Sequence, residues 1–474
     1  MINCVMNNME TITIGKYSWQ KLVGDEGQDV YVAQFHDDCE HKLGKYMEES
    51  DFDILFQSDA DFYAPPKQDI FGSSSGELTE DNIIFKFRKN KFTEQEQLGA
   101  YEGLVGAAQQ SQNRGIAAGP KGAKQQNRDW VTDEQLEIMD TYMSGSTSLF
   151  GGDPIEEIKE KYKTKQESST RGLVWLRNKI AEDFDTYDNF FDKLMNKWKN
   201  MPHGMRQAEV RIARKKYISD TTYANAVLSG IAGFFDRYPR IPYGRATAYT
   251  EKNYETYEKC YPFMRKLSSE FKRLLPHRFS VQEDAANQLD PRFRVAGTDT
   301  PFTTITVNKN FRTAAHRDAG DLNTGFSNLT VVAKDKQWNG GSLVLPEFRV
   351  AVDLRPGDLL LINNHAGIHG NTELLPPEGM TLEDMERISL VCYFREKMLE
   401  LGSMEYEDTR YQFVTDRRNN KEHPEWRELW NGVSPGMWKS REWYDYLSAN
   451  RGEKMLREYH PEGYVEEGSL EEFF

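Results

Sequence analysis

The sequence predicts an α+β protein whose core is a small barrel, a double-stranded β-helix, flanked by helical N-terminal and C-terminal extensions. Two observations predict it. From Thr300 onward, β-branched and apolar residues alternate with period two in six short runs, and no helical pattern of any length lies between the first five. Turn residues separate the runs, as the strands of a jelly-roll or cupin-like core require.

The first two runs are Thr303-Thr304-Ile305-Thr306-Val307 and Leu329-Thr330-Val331-Val332. Asn339-Gly340-Gly341 then turns the chain into Ser342-Leu343-Val344-Leu345, and Val350-Ala351-Val352-Asp353-Leu354 follows. Arg355-Pro356-Gly357-Asp358 has Pro and Gly where a type II turn wants them, and leads into Asp358-Leu359-Leu360-Leu361-Ile362-Asn363. Thr381 to Glu386 reads as a short helical insert before the last run, Ile388-Ser389-Leu390-Val391-Cys392-Tyr393-Phe394.

Four stretches organise the chain. Residues 1–130 form a mixed N-terminal region ending in a Gly/Gln/Ala-rich loop at 101–128, which carries Arg114, Lys121, Lys124 and Arg128. Its composition suits either a flexible linker or a loop lining a polyanion or active-site mouth, and both readings stay open. Residues 131–230 read as helical, opened by a capping box from Thr132 to Gln135 and running through about Leu228. Residues 231–400 hold the barrel, with Arg245–Thr250 and a helix Tyr254–Leu275 leading into it. Residues 401–474 are a helical extension with Trp426, Trp430, Trp438 and Trp443, then an acidic tail. Tryptophans among cations can stack on unpaired bases, but packing on a neighbouring element is their commoner role.

At 474 residues there is ample length for a core. Four cysteines without metal spacing suit a reducing cytoplasm, of a host cell if the source is viral. The chain has no apolar run of transmembrane length and no signal peptide at its start, so neither a membrane partner nor secretion is expected. A formal charge of −15 argues mildly against nucleic acid. The sign reverses locally between Lys193 and Lys216, where eight basic residues face only Glu209. That stripe is either a solvated helix face or a track for a phosphate backbone. Nothing indicates an oligomeric state.

The chemistry-bearing residues are His316-Arg317-Asp318, then His369 in His369-Gly370-Asn371-Thr372, then Arg387-Ile388-Ser389. Two imidazoles and one carboxylate are the ligands of a non-haem Fe(II) facial triad. On an octahedral ion they leave three positions, two for a chelating 2-oxo acid and one for O2. The far carboxylate of 2-oxoglutarate suits a guanidinium on a strand facing the metal, held by paired charge-assisted hydrogen bonds. Arg387 lies 18 residues past His369, and Ser389, two residues on, points to the same strand face. His316, Asp318 and His369 are therefore the candidate metal ligands, and Arg387 with Ser389 the co-substrate residues. Asp318 argues for hydroxylation, because a halogenase leaves that ligand position vacant for halide.

Two rivals exist. His365 also follows the Leu359–Ile362 run, although motif context favours His369. A second His-x-Asp at His36-Asp37-Asp38 lacks downstream strands and a partner arginine, and reads as a solvated acidic loop.

From Pro301 to Phe394 the chain resembles the oxygenase domain of the TET/JBP family of Fe(II)/2-oxoglutarate DNA-base hydroxylases, more its phage and kinetoplastid branches than its animal one. Ala315-His316-Arg317-Asp318-Ala319-Gly320-Asp321, Gly340-Gly341-Ser342-Leu343, Gly357-Asp358-Leu359-Leu360-Leu361, His369-Gly370-Asn371-Thr372 and Arg387-Ile388-Ser389-Leu390-Val391 carry the resemblance. It implies that His316, Asp318 and His369 bind Fe(II), that Arg387 binds 2-oxoglutarate, and that the target is the 5-methyl group of thymine or 5-methylcytosine in DNA. Such a base must leave the duplex stack, at about a few kcal/mol. Arg245, Asn308, Asn310 and Arg312 are candidate substrate contacts, with barrel polar residues the ordinary alternative. Competing readings are a hydroxylase of a protein side chain or free nucleotide, and a non-catalytic acidic DNA mimic. The last leaves an intact triad unexplained.

Overall fold

The computed structural model describes residues 10–65, 78–111, 114–120, 225–237, 241–318, 320–333, 338–420, 422 and 440–463. The basic stripe Lys193–Lys216, the helix expected from Thr132, Lys121–Arg128, Trp426, Trp430, Trp438 and nearly all of the acidic tail lie outside them. No helix among the described residues is long and apolar enough to cross a membrane.

The strands, in chain order, are β1 Glu10–Ile14, β2 Tyr17–Val23, β3 Asp29–Ala33, β4 Ile54–Phe56, β5 Ala60–Tyr63, β6 Ile83–Arg88, β7 Gln110–Ser111, β8 Val227–Phe235 and β9 Arg245–Ala246. They continue as β10 Thr304–Lys309, β11 Ser327–Ala333, β12 Asn339–Gly340, β13 Leu343–Leu345, β14 Val350–Val352, β15 Leu359–Ile362, β16 Gly370–Asn371, β17 Leu374–Leu375 and β18 Arg387–Tyr393. A 12-stranded sheet runs β1-β2-β3-β5-β6-β15-β11-β18-β10-β8-β7, with β9 on β8. A 4-stranded sheet runs β16-β13-β14-β4. The six runs read from the sequence all appear as strands, within a residue or two at each end.

Alternation on β18 sets the two faces of the large sheet. Ile388, Leu390 and Cys392 join one buried cluster with Phe263, Met264, Leu267 and Phe271. Those four lie on the helix Tyr261–Leu274, whose apolar residues recur at three- and four-residue steps. On the opposite face, Leu329, Val331, Leu360, Ile362, Phe85 and Phe87 share a second cluster with Leu343, Leu345, Val350, Val352 and Phe56 of the small sheet. The two sheets thus face each other across a common apolar interior. Truncating one of its fully buried rings, such as Phe85, costs about 3–5 kcal/mol.

The N-terminal stretch is not a region apart from these two sheets. β6 pairs with β15, placing Phe87 beside Leu360, and β4 runs parallel to β14, placing Leu55 beside Ala351. Near Leu228, where the sequence reads as helix, the chain is already a strand. Gly230 is the reason it can be: a Cβ there would lie 1.9 Å from Ala107 O, so only a bare backbone packs at that point. The single helix expected over Tyr254–Leu275 is divided into Tyr254–Tyr257, a 3-10 turn and Tyr261–Leu274, with proline in the first turn of the last piece. The insert at Thr381–Glu386 amounts to one 3-10 turn, Leu382–Asp384, capped by Thr381.

The chain divides into two compact units. The first comprises residues 1–120, 224–411 and 451–463, and holds both sheets. In the second, Trp443 is buried and meets Phe413 edge-on at 5.6 Å between ring centroids. Of the four tail tryptophans it is the one within the described residues, and it packs against its neighbours.

Candidate active site

The first two ligand candidates follow β10, on an extended segment held on both sides. Ala314 N–H donates to Ala117 O at 2.8 Å, and Ala315 N–H donates to Lys45 O at 2.8 Å. His369 lies immediately before β16. The backbone N–H groups of His316 and His369 donate to each other's carbonyls at 2.9 and 3.0 Å, an isolated antiparallel bridge. A hydrogen-bonded pair of this kind puts both side chains on one side, and the imidazole centroids lie 4.4 Å apart. Gly370 lets the strands approach: a Cβ there would sit 2.9 Å from Ala315 N and 3.0 Å from Ala314 C.

Each imidazole is oriented by a carbonyl two residues upstream. His316 Nδ1 donates to Ala314 O at 2.8 Å and His369 Nδ1 to Gly367 O at 3.1 Å. A carbonyl only accepts, so Nδ1 carries the proton and Nε2 is left to bind. The two Nε2 atoms converge on Asp318, at 3.3 Å from Oδ1 for His316 and 3.9 Å from Oδ2 for His369. One ligand atom from each of His316, Asp318 and His369 lies within 4.8 Å of the others, the geometry of a three-ligand metal site. His365 is not in that group; its Nδ1 contacts Asp318 O at 3.2 Å.

Electrostatics suit a cation. Burial pushes the Asp318 pKa up, but the His316 hydrogen bond, the charges of both imidazoles and the Asn364 bond bring it down to about 2. Burial and then the His316 charge take His369 down to about 4, against Asp318, so its ring is neutral as a metal ligand must be. Asn364 Nδ2 donates to Asp318 Oδ2 at 3.1 Å and fixes the carboxylate plane. Glu347 accepts Ile368 N–H at 2.8 Å and Arg317 Nη2 at 3.1 Å, bracing the turn before His369.

Arg387 heads β18 on the interior face. It is buried, and its Nε has no hydrogen-bond partner among the described residues. Burial and then neighbouring Arg355 lower its pKa to about 10, partly offset by Asp353. A buried guanidinium with an orphaned donor is costly unless a ligand anion completes it. Trp338 lies against it at 5.8 Å, and Gly341, at φ +69, lies beside it. Ser389 shares the face, paired with Val331 on one side and Asn308 on the other.

The four candidate substrate contacts divide. Asn308 is in the interior row beside Ser389 and accepts Ser229 Oγ. The others are bound into the frame. Asn310, in the left-handed region at φ 47, donates to Leu382 O and Met385 O at 2.7 and 2.5 Å and accepts Arg387 N–H at 2.9 Å. Arg312 donates to Met47 O and Glu48 Oε1, both at 2.7 Å. Arg245 lies over the Phe235 ring at 5.3 Å and reaches Asp236 O at 3.4 Å. Asn310 and Arg312 were candidates for their place before the metal pair and Arg245 for heading a Thr-rich segment; the hydrogen bonds of all three are internal. At the other His-x-Asp, His36 stacks on Phe348 at 5.0 Å and Asp38 caps Glu40 N–H at 3.0 Å.

Sequence reading missed Asn364, Glu347 and the carbonyls of Ala314 and Gly367. Only Asn364 left a signal, as a polar residue just past an all-apolar strand. The carbonyls leave none, since any residue supplies one.

Residues 230–396 match the family model Tet_JBP, described as the oxygenase domain of the 2OGFeDO superfamily. Thymine dioxygenase JBP1-B of Trypanosoma cruzi (strain CL Brener) is 37% identical over 186 residues, 38% of this chain and 21% of that protein. Thymine dioxygenase JBP1 of Leishmania braziliensis is 34% identical over 179 residues, 37% of this chain and 21% of that protein. The chain thus spans about a fifth of the length of these relatives. A solved structure of NgTET1 in complex with 5mC DNA aligns with a TM-score of 0.30 and 16% identity, over 39% of this chain and 68% of that one, a similarity too slight to bear on the fold. The stretch 230–396 that matches this oxygenase-domain model contains the triad, Arg387 and Ser389, and it is similar to the thymine dioxygenases of kinetoplastids.

Proposed function

We propose that this chain is an Fe(II)- and 2-oxoglutarate-dependent dioxygenase that hydroxylates the 5-methyl group of a pyrimidine, thymine or 5-methylcytosine, in DNA. One observation carries the reading. Three ligand atoms from His316, Asp318 and His369 converge with both imidazole tautomers already set, on the interior that Arg387 faces with an unpaired donor. The printed activity of the kinetoplastid relatives, thymine dioxygenase, supports the choice of substrate.

On this reading the two facing sheets are the walls of a double-stranded β-helix, and the helices Glu94–Leu104 and Met404–Asn419 belong to its extensions. His316, Asp318 and His369 would hold Fe(II). Arg387 would hold the far carboxylate of 2-oxoglutarate, with Ser389 beside it. When bound, the iron and its co-substrate supply O2-dependent decarboxylation coupled to hydroxylation of a C–H bond.

The chain's own work is placement. Ala314 O and Gly367 O hold the imidazoles, and Asn364 holds the carboxylate of Asp318. Arg387 fixes the far end of the 2-oxo acid, so its reactive end has one orientation. Phe85, Phe87, Leu343 and Leu360 make the interior apolar and exclude water.

DNA-dependent succinate formation tests the reading. The protein with Fe(II), 2-oxoglutarate and air should release succinate faster when duplex DNA is present. A rate indifferent to DNA, but stimulated by a peptide or a free nucleotide, would move the substrate to that class.

A further inference from the structure

Arg387 has no acid to hold it. Its side chain is buried, its Nε is without a hydrogen-bond partner, and no carboxylate among the described residues pairs with it. Its backbone is fixed, with its N–H donating to Asn310 Oδ1 at 2.9 Å, but that does not orient the head of a long side chain.

Trp338 is what meets the head. The guanidinium carbon of Arg387 lies over the indole, 5.8 Å from the ring centroid, within the range of a cation–π contact. A ring face attracts the cation and limits the swing of its planar fork. The ring is itself held. Trp338 is buried with Leu343, Leu374 and Met385. Its carbonyl accepts Arg355 Nη1 at 2.8 Å, and the Arg355 guanidinium lies over the same ring at 5.4 Å. Arg355 is fixed in turn: Nη2 pairs with Asp353 at 2.6 Å, and its N–H donates to Asp358 Oδ2 at 2.8 Å.

The result is a ladder in which Asp353 pairs with Arg355, Arg355 with Trp338, and Trp338 with Arg387. The two guanidiniums repel each other across it. One has its carboxylate in Asp353, and the other awaits an anion from outside.

We propose that Trp338 is a positioning residue for binding of the 2-oxo acid. It holds the fork of Arg387 so that two donors meet the far carboxylate together, and Arg355 with Asp353 holds Trp338. This rests on the functional reading above, in which Arg387 takes that carboxylate.

The test is anaerobic calorimetric titration of the Fe(II)-loaded full chain with two acids. One is 2-oxoglutarate; the other is 2-oxobutyrate, which has the same chelating end and no far carboxylate. Trp338→Leu, which keeps apolar filling without a ring face, should weaken 2-oxoglutarate binding about tenfold, as loss of a desolvated cation–π contact does. It should leave the affinities for 2-oxobutyrate and Fe(II) unchanged. Trp338→Phe keeps a smaller ring and should lose only about threefold. In an Arg387→Met background both replacements should cost nothing further, because residues acting through one contact are not additive. If circular dichroism shows Trp338→Leu unfolded, Trp338→Phe carries the same comparisons. An equal loss for both acids, an additive loss in the Arg387→Met background, or wild-type affinity in both variants would overturn the role of Trp338 alone. A wild-type protein that binds Fe(II) but not 2-oxoglutarate would overturn the functional reading, and the role of Trp338 with it.

Discussion

His316 and His369 are joined by both of their backbone hydrogen bonds, at 2.9 and 3.0 Å, so the first and last candidate ligands move as one unit. The remaining ligand, Asp318, is tied to the same frame through its N–H to Asn364 O at 3.1 Å. The centre is preorganised by backbone before any metal arrives.

Replacing any of the three should therefore remove metal without unfolding the chain. His316→Ala, Asp318→Ala and His369→Ala should each weaken Fe(II) binding by more than about 100-fold, since even a partner outside the ligand set is worth about 10–100-fold. His365→Ala should bind normally. Anaerobic Fe(II) titration, with circular dichroism to check the fold, reads both. Normal binding by His369→Ala together with loss in His365→Ala would exchange the two imidazoles.

Asn364 tests the support of that centre. Asn364→Ala removes the 3.1 Å bond to Asp318 Oδ2 and should weaken Fe(II) binding about 10–100-fold, with the ligands themselves intact. Asn364→Asp should do worse than Ala, because a second carboxylate facing Asp318 replaces a donor with a repelling charge. Equal affinities across the three proteins would leave Asn364 with no part in metal binding.

Much of this was legible in the sequence, for a definite physical reason. Period-two alternation marks strands, and a His-x-Asp, His, Arg-x-Ser series at strand ends marks its own chemistry. Pairing was not legible. Nothing in Ile83–Arg88 names Leu359–Ile362 as its partner, because alternation fixes which face a residue takes and not which strand lies beside it. The hydrogen bonds of Asn310 and Arg312 were hidden for a related reason. Their place beside the metal pair was visible, while the carbonyls of Leu382, Met385 and Met47 that engage them were not.

Arg387→Lys should keep Fe(II) and the fold but raise KM for 2-oxoglutarate about tenfold or more. An ammonium cannot reproduce two parallel bonds to one carboxylate. The measurement is initial succinate rate against 2-oxoglutarate concentration at fixed Fe(II). An unchanged KM would mean that another residue anchors the co-substrate.

Gly370→Ala probes the strand approach. Its Cβ would meet Ala315 N at 2.9 Å and Ala314 C at 3.0 Å, backbone atoms that cannot rotate away. The variant should lose about 1–3 kcal/mol of stability, as overpacking does, and bind Fe(II) more weakly because His316 and His369 are pushed apart. Denaturant unfolding and Fe(II) titration check the two effects. Wild-type values for both would show that the strands adjust freely.

Nucleoside mass spectrometry reads oxidation of the base itself. The full chain is incubated in air with Fe(II), 2-oxoglutarate and DNA containing thymine and 5-methylcytosine, and the DNA is then digested to nucleosides. The expected product is heavier than one of the two methylated pyrimidines by about 16 mass units, one inserted oxygen atom, formed with succinate and absent from Asp318→Ala. Succinate release with every nucleoside unchanged would contradict it.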